Sequence, residues 1–124
     1  MSLLLPENSI EVIRGTSKTF ELTVRDDAGV VVDLTGSRII FSVKTSPADP
    51  LPLIQKTTDN VTQAEITVPR EGKARIYLQP NDTQTLEALQ YVFDVWVILT
   101  SGKRFAVVPS SIFAVKPGVT LIPL

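Results

Sequence analysis

Gln90–Val108, QYVFDVWVILTSGKRFAVV, is the stretch whose reading decides the fold. Tyr91, Phe93, Val95, Val97 and Leu99 recur at period two, the spacing of one face of a β-strand. Val92, Trp96 and Ile98 occupy the other face, interrupted by Asp94. A strand apolar on both faces predicts a central position in a sheet, covered from both sides. Thr100-Ser101-Gly102-Lys103 has the composition of a turn, and Phe105 and Val107 follow where a returning strand would begin. This hairpin carries the single Trp and two of the five Phe, so the core is expected to form around it.

The same period-two pattern extends outward. Lys18–Arg25, KTFELTVR, alternates with Phe20, Leu22 and Val24 inward, as a half-buried strand does. Ser37–Lys44 repeats this with Ile39, Phe41 and Val43. Gln63–Val68 and Lys73–Gln79 read as a second hairpin around Pro69-Arg70-Glu71-Gly72, with Ile66, Val68, Ile76 and Leu78 inward. Ile10–Arg14 reads as a short first strand ended by Gly15, Val30–Asp33 as an extended piece, and Leu53–Thr57 as an edge strand. Ile112–Val115 reads as a separate last strand. Asp26-Asp27-Ala28-Gly29 supplies a turn. Thr45–Pro52 holds three prolines and is expected to be an exposed loop. Asp82 is expected to cap one helical turn through Leu86, with Pro80 just outside. The pattern predicts an all-β fold, an antiparallel sandwich of about eight short strands with one helical turn near 82–86.

Composition narrows the chemistry. The 124 residues fit one domain, with residues 1–9 and 117–124 as terminal arms. Apolar residues make up 44% and the net charge is −1, an ordinary globular balance that gives no electrostatic reason to expect nucleic acid or an anionic membrane as partner. The sequence has no His and no Cys. It therefore lacks the commonest neutral-pH general base, thiolate metal ligands and disulfides. Ser101, Ser110 and Ser111 have no His to activate them, so no enzyme activity and no catalytic residue is expected. No apolar run approaches the length of a membrane-spanning helix.

Several residues invite a functional reading and a plainer one. Asp94 sits mid-strand among apolar neighbours; pairing with a cross-strand Arg or Lys, or capping a loop, explains it better than acid/base work. Asp26, Asp27 and Asp33 surround a Gly turn, but their spacing is not that of a calcium loop, and turn formation accounts for them; no metal or cofactor is expected. Arg70, Lys73 and Arg75 form a small basic patch with Glu71 among them, the makeup of a solvated face. Asn60-Val61-Thr62 and Asn81-Asp82-Thr83 match the glycan acceptor pattern and indicate no more than exposed loops. Tyr77 and Trp96 fall off the inward faces, where a saccharide site would want them; packing against the second sheet or a neighbouring subunit is the preferred expectation.

One ordered set of motifs resembles a known family. From Ile13 to Lys44 the chain reads I-R-G-x-x-x-x-F-x-L-x-V, D-D-x-G-x-x-V-D-L-T-G and I-x-F-x-V-K; further on come G-K-A-R-I-Y-L, P-N-D-T-x-x-L at Pro80–Leu86 and Y-V-F-D-V at Tyr91–Val95. This order is similar to the small Ig-like β-sandwich domains of bacteriophage and prophage tail proteins, among them the N-terminal domain of the baseplate upper protein, and covers roughly residues 10–116. The resemblance implies a non-enzymatic structural protein of the tail or baseplate, made in the host cytoplasm, located in the virion and acting by protein–protein contact. Its expected partners are other tail or baseplate proteins and further copies of itself, with no nucleic acid and no membrane. With no linker or receptor module after the sandwich, a small accessory subunit is expected. A bacterial Ig-like adhesion or carbohydrate-binding module is the alternative reading. Both ends of the chain are apolar, and termini normally are not unless tied down. The tail could cover an edge strand of its own sandwich or add to a neighbour's sheet edge; the second arrangement is preferred, with Leu3, Leu4, Leu5, Val119, Leu121, Ile122 and Leu124 as the expected assembly contacts.

Overall fold

The computed structural model describes residues 2–3 and 9–120. Nine strands and one helix follow in order: β1 (Ser2–Leu3), β2 (Ile10–Ile13), β3 (Lys18–Arg25), β4 (Arg38–Lys44), β5 (Ile54–Thr57), β6 (Ala64–Val68), β7 (Lys73–Leu78), α1 (Pro80–Gln84), β8 (Gln90–Ile98) and β9 (Arg104–Lys116). They form two sheets, ordered β1-β3-β7-β6 and β2-β9-β8-β4-β5. The second sheet has the hairpin of Gln90–Val108 at its centre, as the sequence requires. This is an all-β sandwich of the immunoglobulin kind: the first sheet has the A-B-E-D order, and β9-β8-β4-β5 has the order G-F-C-C′.

The inward faces follow the period-two reading. Leu22, Val24, Ile39, Phe41, Val43, Ile76, Leu78, Phe93, Val95 and Val97 are buried, and Phe20 and Ile66 pack against them half-buried. Val68 is exposed at the end of its strand. Antibody domains pin their two sheets together with a disulfide at this level. Here four phenylalanines take its place: Phe41 lies 6.3 Å from Phe20, 5.6 Å from Phe93 and 6.2 Å from Phe113, measured between ring centroids. Two residues before Phe93, the Tyr91 hydroxyl donates to the Glu87 carbonyl at 2.8 Å. That back-bond is the tyrosine corner of Ig-like sandwiches, and it fixes the entry to β8.

The structure departs from the sequence reading at five places. First, β2 pairs with β9 in parallel, because the chain changes sheets between Leu3 and Ile10 and arrives beside β9 running the same way; the sandwich is not purely antiparallel. Second, Ile112–Val115 is no separate strand but the far half of β9. The register shifts twice along β8, so that Val95 pairs with Val108 while Phe93 pairs with Ser111; these bulges accommodate Pro109, which has no N–H for the ladder. Third, Val30–Asp33 contributes a single bridge, Arg25 to Val31. Fourth, Gln79 and not Asp82 is the helix N-cap: Pro80 occupies the first helical position, where its missing N–H costs nothing, and Asp82 Oδ2 accepts from the Gln79 N–H at 2.7 Å. Fifth, Asp94 faces Ser42, not a basic residue, and accepts from Trp96 Nε1 at 2.8 Å.

Gly72 ends the 3₁₀ turn Pro69–Glu71 with φ of 67°. A Cβ there would lie 2.6 Å from the Val24 carbonyl oxygen and 2.9 Å from that of Val32. Gly29, with φ of 82°, has open space at the same point. Gly29→Ala is therefore expected to cost only the roughly 1–2 kcal/mol of left-handed backbone, whereas Gly72→Ala costs more, because backbone oxygens cannot rotate away. Equal shifts in melting temperature for the two variants would refute this account of Gly72.

Candidate binding face

The outer face of the five-stranded sheet is built by the same alternation that fills the core. With Tyr91, Phe93, Val95 and Val97 turned inward, Val92, Asp94, Trp96 and Ile98 must point outward. Register then sets their neighbours. One row across the sheet is Thr57, Ile40, Trp96, Ala106; the next is Gln55, Ser42, Asp94; a third is Lys44, Val92, Ile112. The covering expected for this second face is absent among the described residues. Trp96 is 41% exposed, so it does not pack against the other sheet.

Trp96 lines one end of a cleft of about 400 Å³. Pro47, Pro50 and Pro52 of the Thr45–Pro52 loop wall one side, and Ser110 of the β9 bulge closes the other. Between them lie Ser42, Gln55 and Asp94. The Trp96–Asp94 hydrogen bond fixes the indole, and Ala106 beside it is too small to cover the ring. Gln55 Nε2 donates to Ser42 Oγ at 3.2 Å. Lys44 stands at the rim with no ion partner among the described residues. The result is an aromatic plate bordered by a row of hydroxyl, amide and carboxylate groups. Such a set can orient a bound molecule through hydrogen bonds. Its one carboxylate and lack of any imidazole or thiol offer no general acid/base pair.

A second group of exposed apolar residues, with Glu11 and Lys116 among them, lies about the far half of β9. Ile13 is 52% exposed and pairs in register with Lys116; Ile112 is 45% exposed; Val119, just beyond the strand, is fully exposed. Of the terminal residues expected to make assembly contacts, only Val119 has a described side chain. Leu3 is described as backbone in β1, and Leu4, Leu5, Leu121, Ile122 and Leu124 lie outside the described residues.

The other motifs resolve into local structure. Asp26 Oδ1 accepts from the Ala28 and Val30 N–H groups, and Asp33 Oδ1 accepts from the Thr35 N–H and hydroxyl. The Thr35 hydrogen bonds hold the Asp33 carboxyl below its ordinary value. No group of three or more metal-ligating side chains occurs among the described residues. Added calcium is therefore expected to leave the melting temperature unchanged; an appreciable rise at modest excess would reveal a native-state site. In the basic patch, Arg75 pairs with Glu21 and Lys73 with Glu71. Tyr77 is half-buried on that sheet's outer face and donates to Glu65 Oε1.

Sequence reasoning had weighed Trp96 and set it down to packing. What it missed was the polar row beside the ring: Gln55, Ser42 and Asp94 are aligned by strand register, and the β9 bulge adds Ser110 at its end. Pro109 inside an otherwise apolar run was the one available signal of that bulge.

No family model matches the chain, and no curated protein does. Among solved structures it is similar to the sialic acid binding region of the Streptococcus sanguinis SK1 adhesin bound to 3'sLn. The identity is 17% and the TM-score 0.47, over 94% of this chain and 29% of that one. It is also similar to murine CRIg, at 14% identity and TM-score 0.41, over 94% of this chain and 97% of that one. Both likenesses are of fold.

Proposed function

We propose that this chain is a non-catalytic structural domain of a bacteriophage or prophage tail, assembling with other tail proteins by protein–protein contact. One observation carries the reading: the Ile13–Ile112–Val119 strip leaves large apolar side chains in water along the far half of β9. Isolated exposed apolar residues need no explanation, but several gathered at one end of a sheet edge mark a contact surface. The ordered motifs between Ile13 and Val95 supply the tail context, as a resemblance of sequence.

The test is the paired variant Ile13→Glu/Ile112→Glu in the intact chain. Both sites are exposed, so the melting temperature is expected to stay within a few degrees of the parent, as for ordinary surface changes of about ±0.5 kcal/mol. Light scattering and pull-down with purified tail components are expected to show lost association. A parent chain that stays monomeric and retains no tail component would overturn the proposal. Antibody against the protein should also label purified virions at the tail; labelling confined to the bacterial surface would favour the adhesion reading.

A further inference from the structure

We infer that the Trp96 cleft, which Ile112 of the assembly strip borders through Val92, is a saccharide-binding site, an inference independent of the tail reading. The argument turns on what an occupant must replace. Trp96 offers an apolar ring face, but Gln55, Ser42, Asp94 and Ser110 lie beside it. A protein's apolar anchor seated on the indole would strip water from these four groups and return no hydrogen bonds, which is costly. A pyranose ring satisfies both halves of the site. Its C–H face lies on the indole while its hydroxyls reach the polar row. Along β8 the two rows are separated by two residues, roughly 7 Å, a distance one sugar ring and its substituents can bridge.

The polar groups suit hydroxyls in particular. Asp94 Oδ2 is engaged by Trp96 Nε1, and Oδ1 is left to accept. Gln55 supplies an amide that both donates and accepts, and the two serines do the same. The proline wall is stiff, so little ordering entropy opposes binding. Nucleic acid fits poorly: there is one exposed aromatic in the cleft and Asp94 faces any phosphate placed on it. Lys44, with no ion partner among the described residues, selects among saccharides: it favours one bearing a carboxylate.

Trp96 is the only tryptophan, so tryptophan emission, excited at a wavelength where tyrosine does not absorb, reports this cleft alone. The probes are methyl glucoside, methyl galactoside and their uronic acid counterparts, titrated against the full chain. Saturable fluorescence change is expected with a Kd of about 1 mM or weaker, ordinary for a monosaccharide-sized contact of this strength. The uronic forms should bind several-fold tighter, and Lys44→Gln should abolish that preference while leaving neutral sugars unaffected. Trp96→Leu, followed by amide chemical shifts in place of fluorescence, should weaken binding at least tenfold with the fold intact. No saturable response to any of the four probes overturns the inference. So does binding that survives both variants, which would place the sugar elsewhere, or a Trp96 response only to a purified tail protein. Ile13→Glu alone, on β2 and away from the cleft lining, is expected to retain sugar binding, so loss of assembly and loss of the saccharide site are distinguishable.

Discussion

Phe41→Ala is expected to lower the free energy of unfolding by about 3–5 kcal/mol, the range for truncating a buried phenylalanine. Phe41 has no exposed surface and is in ring contact with Phe20, Phe93 and Phe113, which come from three other strands. Removing the ring deletes its transfer energy and leaves a cavity that three rigid neighbours on two sheets cannot jointly close. The sequence holds no cysteine, so no disulfide can brace the sheets at this level. Domains of this size have total stabilities of about 5–15 kcal/mol, so the variant stands to lose roughly a fifth or more of its margin. Urea unfolding is the measurement, with an unchanged m-value needed for a clean comparison. A loss below about 1 kcal/mol would mean that the phenylalanine cluster does not hold the sheets together. Phe41→Leu should fall between the two, because it restores most of the volume.

The phenylalanine cluster also shows what was legible in the sequence. Phe20, Phe41 and Phe93 each sit in a run whose alternation is unbroken, and period two placed them inward without knowledge of the partner strand. Parity does not reach Phe113. It lies beyond the Pro109 bulges, and each inserted residue reverses the parity that the reading depends on. The parallel pairing of β2 was illegible for a different reason. Four residues, IEVI, look the same whether their neighbour runs with or against them. The direction comes from where the chain crosses between sheets, a tertiary matter.

The binding face was legible by halves. Parity alone put Trp96 opposite the core, and the structure keeps it there. Whether anything covers that outer face is decided by what else packs on the sheet, and one strand's sequence does not contain that. Asp94 shows the limit sharply. A carboxylate among apolar residues suggested a basic partner, but the nearest donor on its own face is the Trp96 indole two residues on, a local bond available in any extended strand. The strand geometry that exposed the ring thus also supplied the acceptor that fixes it.

Asp82→Asn is expected to cost about 3–5 kcal/mol, the range for breaking a buried ion pair by neutralising one member. Lys56 points inward from β5 on the same face as Ile54 and is 7% exposed; its ammonium lies 2.8 Å from Asp82 Oδ2. The same oxygen accepts from the Gln79 N–H, so the pair ties an edge strand of one sheet to the helix that links β7 to β8. Asparagine keeps an oxygen for Gln79 and nearly the same volume, so the loss isolates the charge: an ammonium left in the interior without a counter-charge. Lys56→Met gives the opposite case. The thioether retains most of the apolar stem, while Asp82, whose side chain is 19% exposed, keeps its backbone donor and some water. Its cost is expected to stay below about 1.5 kcal/mol. In the double variant Lys56→Met/Asp82→Asn the Asp82→Asn penalty should fall by roughly 2–3 kcal/mol, because no buried charge remains, and the cycle should show that fall as a coupling energy at the upper end of the 0.5–3 kcal/mol seen for contacting pairs. If Asp82→Asn alone costs less than about 1 kcal/mol, the Lys56 ammonium escapes to water along its own stem, and the pair is not what holds β5 against α1.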